Sequence, residues 1–315
     1  MRYLGKKFGS MIITLLIISF LVFLAFDLIP GDAAMSKLGI DATPEALEKL
    51  RAEMGLNRPL FIRYFDWLFD FVRGDFGTSY KYGVSVVSMI GSKLPITVVM
   101  AVMAFGLMLL VSLPLGIYTA KHNGKTVDRL LTVVTQIIMA VPHFFMGIVL
   151  TYVFGLVLKL FTPGNYISYE VSVGKFLSYL IFPAIAIALP KIAMSVRLIK
   201  SSCVEESRKD YTRTAYSKGN NTNKVLYHHV LRNALIPVIT FWGMTLADMV
   251  VGSIVIEQVF NIPGIGRILL TSIQYRDYPV VQAIIMLIAA VVIITNFCVD
   301  MIYQVIDPRI STQES

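Results

Sequence analysis

The chain has 315 residues, of which 56% are apolar and 15% charged, and it carries a formal net charge of +8. Soluble domains carry roughly 25% charged residues, so the composition excludes an ordinary cytosolic enzyme, a secreted disulfide-stabilised domain and a disordered segment. The mean hydropathy of +0.70 points the same way. We therefore expect an all-α membrane protein.

Six stretches are candidates for transmembrane helices, because a helix needs about 20 mostly apolar residues to cross the hydrocarbon core. Four contain no charged residue, and one is interrupted only by Asp248. The remaining one is shorter and can extend past Lys191, because the aliphatic stem of a lysine can reach towards the membrane surface. The six stretches are 8–26, 94–120, 130–158, 176–190, 233–256 and 278–299.

The distribution of lysine and arginine indicates the orientation of these helices. The N-terminal segment, residues 121–129, residues 191–232 and the C-terminal tail together have an excess of basic residues, whereas the opposite side is balanced. Cytoplasmic loops are enriched in lysine and arginine, so both termini are predicted to be cytoplasmic. This topology explains the positive charge, and no nucleic-acid partner is expected.

The predicted topology divides the chain into four segments. Residues 1–29 form an N-terminal tail and the first transmembrane helix, and residues 30–93 form an extracytoplasmic segment. Residues 94–303 form a core of five transmembrane helices that includes the cytoplasmic loop 191–232, and residues 304–315 form a cytoplasmic tail.

Two amphipathic helices are predicted in the extracytoplasmic segment. The first has Pro44 at its first helical position and can end at Gly55. Its apolar face consists of Ala46, Leu47, Leu50 and Met54. The second is an aromatic-rich stretch over 61–72, of a kind that lies in the membrane interface or packs on neighbouring spans.

The cytoplasmic loop 191–232 is the most patterned connecting segment. A polar helix is predicted over about 202–218, and Gly219 begins a strong helix-ending sequence. Thr222 is predicted to cap a second helix, whose apolar positions recur at helical spacing from Tyr227 into the fifth span. Composition alone favours a solvated loop. Two helices broken at this point would instead form a rigid elbow suited to a partner's groove.

Nucleotide-binding and metal-binding patterns are incomplete. The Gly-Lys-Thr of 124–126 lacks the earlier glycine of a phosphate-binding loop, because Thr119 stands there. The glycines of 264–266 lack the third glycine of a dinucleotide fingerprint. His228 and His229 point about 100° apart on a helix and cannot easily share a metal. We expect no catalytic residue, metal site or bound cofactor, so active transport would be powered by another protein.

Two ionisable side chains inside the predicted spans are candidates for a substrate path. They are His143 and Asp248, and ionisable groups at membrane depth are costly and functional by default. For His143, which follows Pro142, a hydrogen bond to a neighbouring helix is the simpler alternative.

Seven segments carry recognisable motifs. They include Gly-Leu-Asn-Arg-Pro-Leu at 55–60, Arg-Gly-Asp-Phe-Gly-Thr-Ser at 73–79, Val-Pro-His-Phe-Phe at 141–145, and the loop 210–237 that begins Asp-Tyr-Thr-Arg-Thr-Ala. The others are 257–266, 276–279 (Arg-Asp-Tyr-Pro) and 307–309 (Asp-Pro-Arg). In this order they resemble the inner-membrane permease subunits of binding-protein-dependent ABC importers. Within the peptide/nickel branch, they resemble the permease that ends in Asp-Pro-Arg.

The resemblance implies a type I ABC importer permease fold with six transmembrane helices. It also implies that a short coupling helix docks in a groove of an ATPase subunit. The residues of this predicted contact are Asp210, Arg213, Thr214, Ala215, Lys218 and Gly219. Ala215 and Gly219 match the wider family's loop signature, whereas Arg213 replaces its glutamate and Thr214 its first alanine. The contacts of that glutamate are therefore not carried over.

The resemblance further implies partners and a location. A second permease would complete the pore, two ABC ATPase subunits would use ATP and magnesium, and an extracytoplasmic binding protein would deliver substrate. The chain itself would bind no cofactor and would lie in the bacterial inner membrane. Peptides are the first substrate expected and nickel, as a chelate, the second. A self-sufficient secondary transporter is the alternative, although the chain shows no clear internal repeat.

The segment after the fifth span is apolar and is predicted to contain a turn. Glu257 and Gln258 end the apolar run, and Pro263 and Gly264 are expected to force the turn before the next helix. The stretch around Phe260 is too apolar to lie free in water. We expect it to fold back against the outer mouth of the pore, either as a gate or as a hairpin packed on neighbouring helices.

Overall fold

The structure is a computed structural model that describes residues 2–28, 35, 43–53 and 55–306. Within these ranges the chain is helical, and its strand-like pairing is one isolated bridge between Thr78 and Ser85. The predicted all-α class is confirmed. The predicted tail motif 307–309 and the apolar-face residue Met54 lie outside the described residues.

The helices are labelled in chain order. They are α1 (Arg2–Leu28), α2 (Pro44–Glu53), α3 (Leu60–Val72), α4 (Val86–Lys121), α5 (Thr126–Ala140), α6 (His143–Val157), α7 (Val173–Glu206), α8 (Asp210–Ser217), α9 (Thr222–Val259), α10 (Ile265–Gln274) and α11 (Tyr278–Ile306). Helix α6 ends in the π-helical segment Thr151–Val157, and α9 contains another at Leu226–Val230.

Five of these helices, α1, α4, α7, α9 and α11, are each long and apolar enough to cross a membrane. Helices α5 and α6 meet that requirement only together, and they are bent by 103° at the break between them. The predicted span over 130–158 therefore consists of two helices joined by a bend. Val141 is extended, with φ −86° and ψ 125°, because a following proline disfavours the helical conformation. Pro142 also lacks the N–H that would continue the helix.

The chain forms two compact units. Unit one contains Met1–Thr97 and Pro263–Ile294, and unit two contains Val98–Ile262 and Thr295–Ser315. The four segments predicted from the topology follow chain order rather than this division, and they remain predictions.

In unit one the aromatic-rich helix α3 packs against α1. The Tyr64 hydroxyl lies 2.8 Å from the Ser19 hydroxyl, and its ring contacts Phe23 edge-on at 5.6 Å between centroids. Arg63 and Asp27 form an ion pair at 2.6 Å. Of the two positions predicted for this stretch, the described contacts support packing on a neighbouring span.

Two of the sequence motifs meet in unit one. Asp277, only 1% exposed, accepts hydrogen bonds from the Ser79 hydroxyl and, at 2.9 Å, from the backbone N–H of Tyr80. Burial, followed by the charge of Asp277, raises the pKa of Tyr80 to about 12. The motifs at 73–79 and 276–279 are thus joined by a buried hydrogen bond between Ser79 and Asp277.

The first amphipathic helix forms as predicted. Pro44 is its first residue, and the N–H of Ala46 donates to the Thr43 hydroxyl at 3.3 Å. Gly55 follows the helix with φ +66°, a left-handed conformation that glycine adopts without steric cost. Of the described residues on the predicted apolar face, Leu47 is buried.

In unit two, long helices approach closely through small and hydroxyl side chains. A Cβ at Gly116 of α4 would lie 2.6 Å from the Cβ of Ile199 on α7, so only glycine fits there. The Ser195 hydroxyl donates to Ser112 at 2.9 Å and accepts from the Trp242 indole N–H at 2.7 Å. These contacts hold α4, α7 and α9 together.

Candidate functional site

The short helix α8 lies between the ends of two long helices. The predicted single helix over 202–218 was wrong, because α7 ends at Glu206 and α8 begins at Asp210. The Thr212 hydroxyl donates to the carbonyl oxygens of Ser207 (2.8 Å) and Lys209 (2.6 Å). It therefore satisfies backbone acceptors that a continuous helix would have bonded internally.

Helix α8 has one buried and one exposed face. Thr212 and Ala215 are 1% and 6% exposed, whereas the side chains of Asp210 and Arg213 are 97% and 80% exposed. Ala215 belongs to an apolar cluster that forms the base under α8. The other members of the cluster are Ile117, Ile199, Cys203, Val225, Leu226, Val230, Ala234 and Val238. The predicted coupling residues Arg213, Thr214 and Lys218 are all exposed, so the base presents them outward.

A polar network around the buried Glu206 fixes α8 relative to both long helices. The Tyr211 hydroxyl donates to Glu206 Oε1 at 2.7 Å and accepts from Asn233 Nδ2 at 3.2 Å. Glu206 also pairs with Lys209 at 2.5 Å. Burial first, and then Glu206, raises the pKa of Tyr211 to about 12, although the Asn233 hydrogen bond opposes this. Tyr211 therefore remains a neutral donor at physiological pH.

The sequence does not predict this network. Glu206 belongs to no predicted motif, and Tyr211 is predicted only as a member of the motif segment 210–237. Asn233 lies 22 residues after Tyr211, a separation that no helical spacing connects. A glutamate at the end of a long apolar helix, with Lys209 three residues later, was the available signal.

Helix α8 ends just before Gly219, the residue predicted to begin the helix-ending sequence. Gly219 has φ +79°, and its N–H donates to the Tyr216 carbonyl at 2.9 Å. Asn220 Nδ2 donates to the Ala215 carbonyl at 3.0 Å. The cap of the next helix is Asn221, whose side chain accepts from the N–H of Lys224 at 2.9 Å. Thr222 was therefore wrongly predicted as the cap, and it is the first helical residue.

The π-helical segment of α9 changes which side chains face the base. Tyr227, a predicted apolar-face residue, is 52% exposed, whereas Leu226 and Val230 are 6% and 1% exposed. A π-helical turn inserts an extra residue into the helical register, so an apolar pattern counted at 3.6 residues per turn misplaces Tyr227.

The two predicted substrate-path residues lie in unit two near an ion pair. Asp248 Oδ2 on α9 lies 3.1 Å from Lys191 Nζ on α7. The Lys191 side chain is 13% exposed, and α7 continues past it to Glu206, as predicted. His143 is the first residue of α6, and its Cδ2 would lie 3.8 Å from a Cβ at Gly252, one turn after Asp248.

The first half of the predicted outer-mouth segment is buried in unit two. Glu257 and Phe260 are 0% and 1% exposed, and α9 continues past Glu257 to Val259. The Phe260 carbonyl accepts from the Tyr179 hydroxyl at 2.6 Å. The helix thus extends a few residues beyond the apolar run that Glu257 and Gln258 end, and the contacts of Phe260 are those of a packed hairpin.

The second half of that segment belongs to unit one. Pro263 lines a cavity of about 540 Å³ together with Lys93 and Arg267. Gly264 is extended with φ −95° and precedes α10. Pro263 and Gly264 lie in the non-helical stretch before α10, where the turn was predicted, and this stretch also contains Asn261 in the left-handed region with φ +56°.

Two family descriptions match the chain. Residues 112–312 match the binding-protein-dependent transport system inner membrane component, and residues 1–101 match the N-terminal region of a binding-protein-dependent transport system membrane component.

Curated relatives match over almost their whole length. A probable peptide ABC transporter permease protein, y4tP of Sinorhizobium fredii, is 35% identical over 98% of both chains. The oligopeptide transport system permease protein AppB of Bacillus subtilis is 34% identical over 98% of both. The dipeptide transport system permease protein DppB of Alkalihalophilus pseudofirmus is 31% identical over 98% of this chain and 99% of its own.

A solved structure supports the fold. A chain of the MetNI methionine ABC transporter in inward-facing conformations is similar with a TM-score of 0.55 at 17% identity. The match covers 70% of this chain and 96% of that one. The predicted type I importer permease architecture is thereby confirmed, while the orientation of the termini remains a prediction.

Proposed function

The chain belongs to the family of inner-membrane components of binding-protein-dependent transport systems, and we propose that it forms half of the translocation pore of an ATP-driven peptide importer. The family consists of transport components rather than enzymes. The relatives named as peptide, oligopeptide and dipeptide permeases support peptides as the substrate. They favour peptides over the second expectation, a nickel chelate.

The observation that carries this proposal is the arrangement of α8. A short helix with a buried Ala215 and an exposed Arg213 rests on an apolar base that joins α4, α7 and α9. The Tyr211 network fixes the helix to the ends of two long helices. A displacement of the outer face of α8 would thus move those helices as well, because α8 is attached to them by direct contacts and not only by flexible loops.

We assign the exposed residues of α8 and its following turn to contact with an ATPase subunit. They are Asp210, Arg213, Thr214, Lys218 and Gly219, with Ala215 as the buried anchor. Closure of the ATPase dimer on ATP and magnesium would move α8, and α7 and α9 would move with it. Nucleotide can drive this change only if it binds the two states with different affinity.

The remaining partners and residues complete the proposal. A second permease contributes the other half of the pore, and an extracytoplasmic binding protein delivers the peptide. Asp248 and His143 lie along the substrate path. Glu257 and Phe260 in unit two, and Pro263 and Gly264 in unit one, belong to the outer-mouth segment as packed elements.

Reconstitution of the complete transporter in proteoliposomes tests the proposal. We expect uptake of a labelled tripeptide that requires ATP, the ATPase subunits and the binding protein. Peptide flux through this chain without the ATPase subunits would instead identify a secondary transporter. Uptake of a nickel chelate in place of peptide would support the alternative substrate.

A further inference from the structure

We propose that the Asp248 carboxylate binds the free amino terminus of the transported peptide within the membrane-spanning part of unit two. The inference rests on the proposed peptide-pore function and deepens it. It assigns to one side chain the recognition of the group that every unmodified peptide carries.

The ion pair between α7 and α9 is exposed on one side only. The Lys191 side chain is 13% exposed and its Asp248 partner 66% exposed, with 3.1 Å between Nζ and Oδ2. A carboxylate can accept about four hydrogen bonds, and Lys191 occupies one of these positions. The ammonium therefore leaves most of the acceptor capacity of Asp248 on the open side.

The position of the pair makes a lipid-facing role unfavourable. Lys191 lies near the middle of α7, and Asp248 lies eleven residues before the end of α9, about 16 Å along the helix axis. An ionised carboxylate at such depth is costly against acyl chains and is found facing a bundle interior or a water-filled cavity. The exposed face of Asp248 therefore opens onto water or protein.

The surroundings of Asp248 suit a peptide amino terminus. Met244 and Val251, one turn on either side, are apolar and 51% and 42% exposed. A single fixed carboxylate in an apolar stripe attracts an ammonium group while placing no restriction on side-chain chemistry. His143 lies near the following turn, with its Cδ2 3.8 Å from where a Cβ at Gly252 would be, and its Nδ1 is buried and has no hydrogen-bond partner among the described residues.

Two other roles for the pair are a brace between α7 and α9 and a contact with the second permease. For a brace, the essential property is that the two residues carry opposite charges. For a contact with the second permease, it is the assembly that the pair supports. For binding an amino terminus, the essential property is a negative charge at position 248 itself. Exchanging the two charges separates these roles.

The experiment measures ATP-dependent uptake of labelled tri-alanine by the complete transporter in proteoliposomes, normalised to assembled complex. Asp248→Asn is expected to lower uptake roughly tenfold, the loss that corresponds to one charge-assisted hydrogen bond. Asp248→Glu, which keeps the carboxylate, is expected to retain most of the uptake. The exchange of charges, Lys191→Asp with Asp248→Lys, is expected to restore thermal stability without restoring uptake.

Asp128→Asn provides the matched control, because Asp128 pairs with Lys200 of the same helix α7 but its side chain is only 6% exposed. Uptake per assembled complex should stay near wild type in this variant. Restored uptake in the charge-exchanged variant would overturn the proposal in favour of a brace, and unchanged uptake in Asp248→Asn would also overturn it. Failure of the wild type to take up tri-alanine would instead refute the proposed function.

Discussion

Replacing Gly219 by valine tests whether the turn after α8 sets the contact with the ATPase subunits. Gly219 has φ +79°, and a Cβ built there would meet no other atom within 4 Å. The substitution therefore acts through backbone conformation alone. A residue with a Cβ pays roughly 1–2 kcal/mol in the left-handed region, and relieving this strain displaces the end of α8.

This free energy sets the size of the expected effect. A cost of 1–2 kcal/mol changes a conformational equilibrium by a factor of about 5–30. Because only the native geometry of α8 is competent to dock, the apparent affinity for the ATPase subunits should fall by a similar factor. The assay is peptide-stimulated ATPase activity of the reconstituted complex, together with retention of the ATPase subunits during purification.

Gly124 provides a matched control for Gly219. It has φ +82° in the loop between α4 and α5, and a Cβ there would also meet no atom within 4 Å. Gly124→Val should thus carry similar strain without loss of coupling. Gly219→Asn should recover part of the activity, because asparagine tolerates the left-handed region. Wild-type stimulation in assembled Gly219→Val, or an equal loss in Gly124→Val, would refute the reasoning.

Three further predictions concern stability and topology. Tyr211→Phe should lower the free energy of unfolding by about 1–3 kcal/mol, because buried Glu206 loses the Tyr211 hydroxyl as a donor and keeps Lys209, whereas exposed Tyr216→Phe should not. The pKa of Tyr211 is raised from its ordinary value of 10 to about 12 in the folded protein. The wild type should therefore lose stability as the pH rises from 10 towards 12, because the unfolded chain releases the tyrosine proton first. In a pH series of thermal unfolding, Tyr211→Phe should lose less stability over this range. Phe260→Ala should cost about 3–5 kcal/mol as a buried truncation; raised basal ATPase activity at unchanged stability would show a gate instead. A cysteine at Ser217, in a background without native cysteines, should react with an impermeant maleimide only from the cytoplasmic side, and labelling of sealed cells would contradict the topology.

The position of the candidate site in the chain could be predicted from the sequence, but its side-chain contacts could not. Gly219 and the two asparagines after it predicted the end of a helix, because glycine is favoured where the backbone must become left-handed. The network of Glu206, Tyr211 and Asn233 could not be predicted, since its three residues belong to three different helices. Such contacts depend on how helices pack, and sequence separation does not encode packing.

Composition and charge by themselves determined the membrane class, the number of apolar stretches and the helical nature of the chain, because burying apolar residues in a bilayer depends on local composition. Only the tertiary structure decided where helices break. Pro183 and Pro190 lie inside continuous α7, where both are buried, whereas exposed Pro142 stands at the 103° break. Neither the proline itself nor its burial decides the break, because Pro95, Pro114 and Pro237 are exposed and also lie inside continuous helices. The break at Pro142 depends on the tertiary structure around it, since a transmembrane helix can stay continuous through a proline where neighbouring groups satisfy the freed backbone.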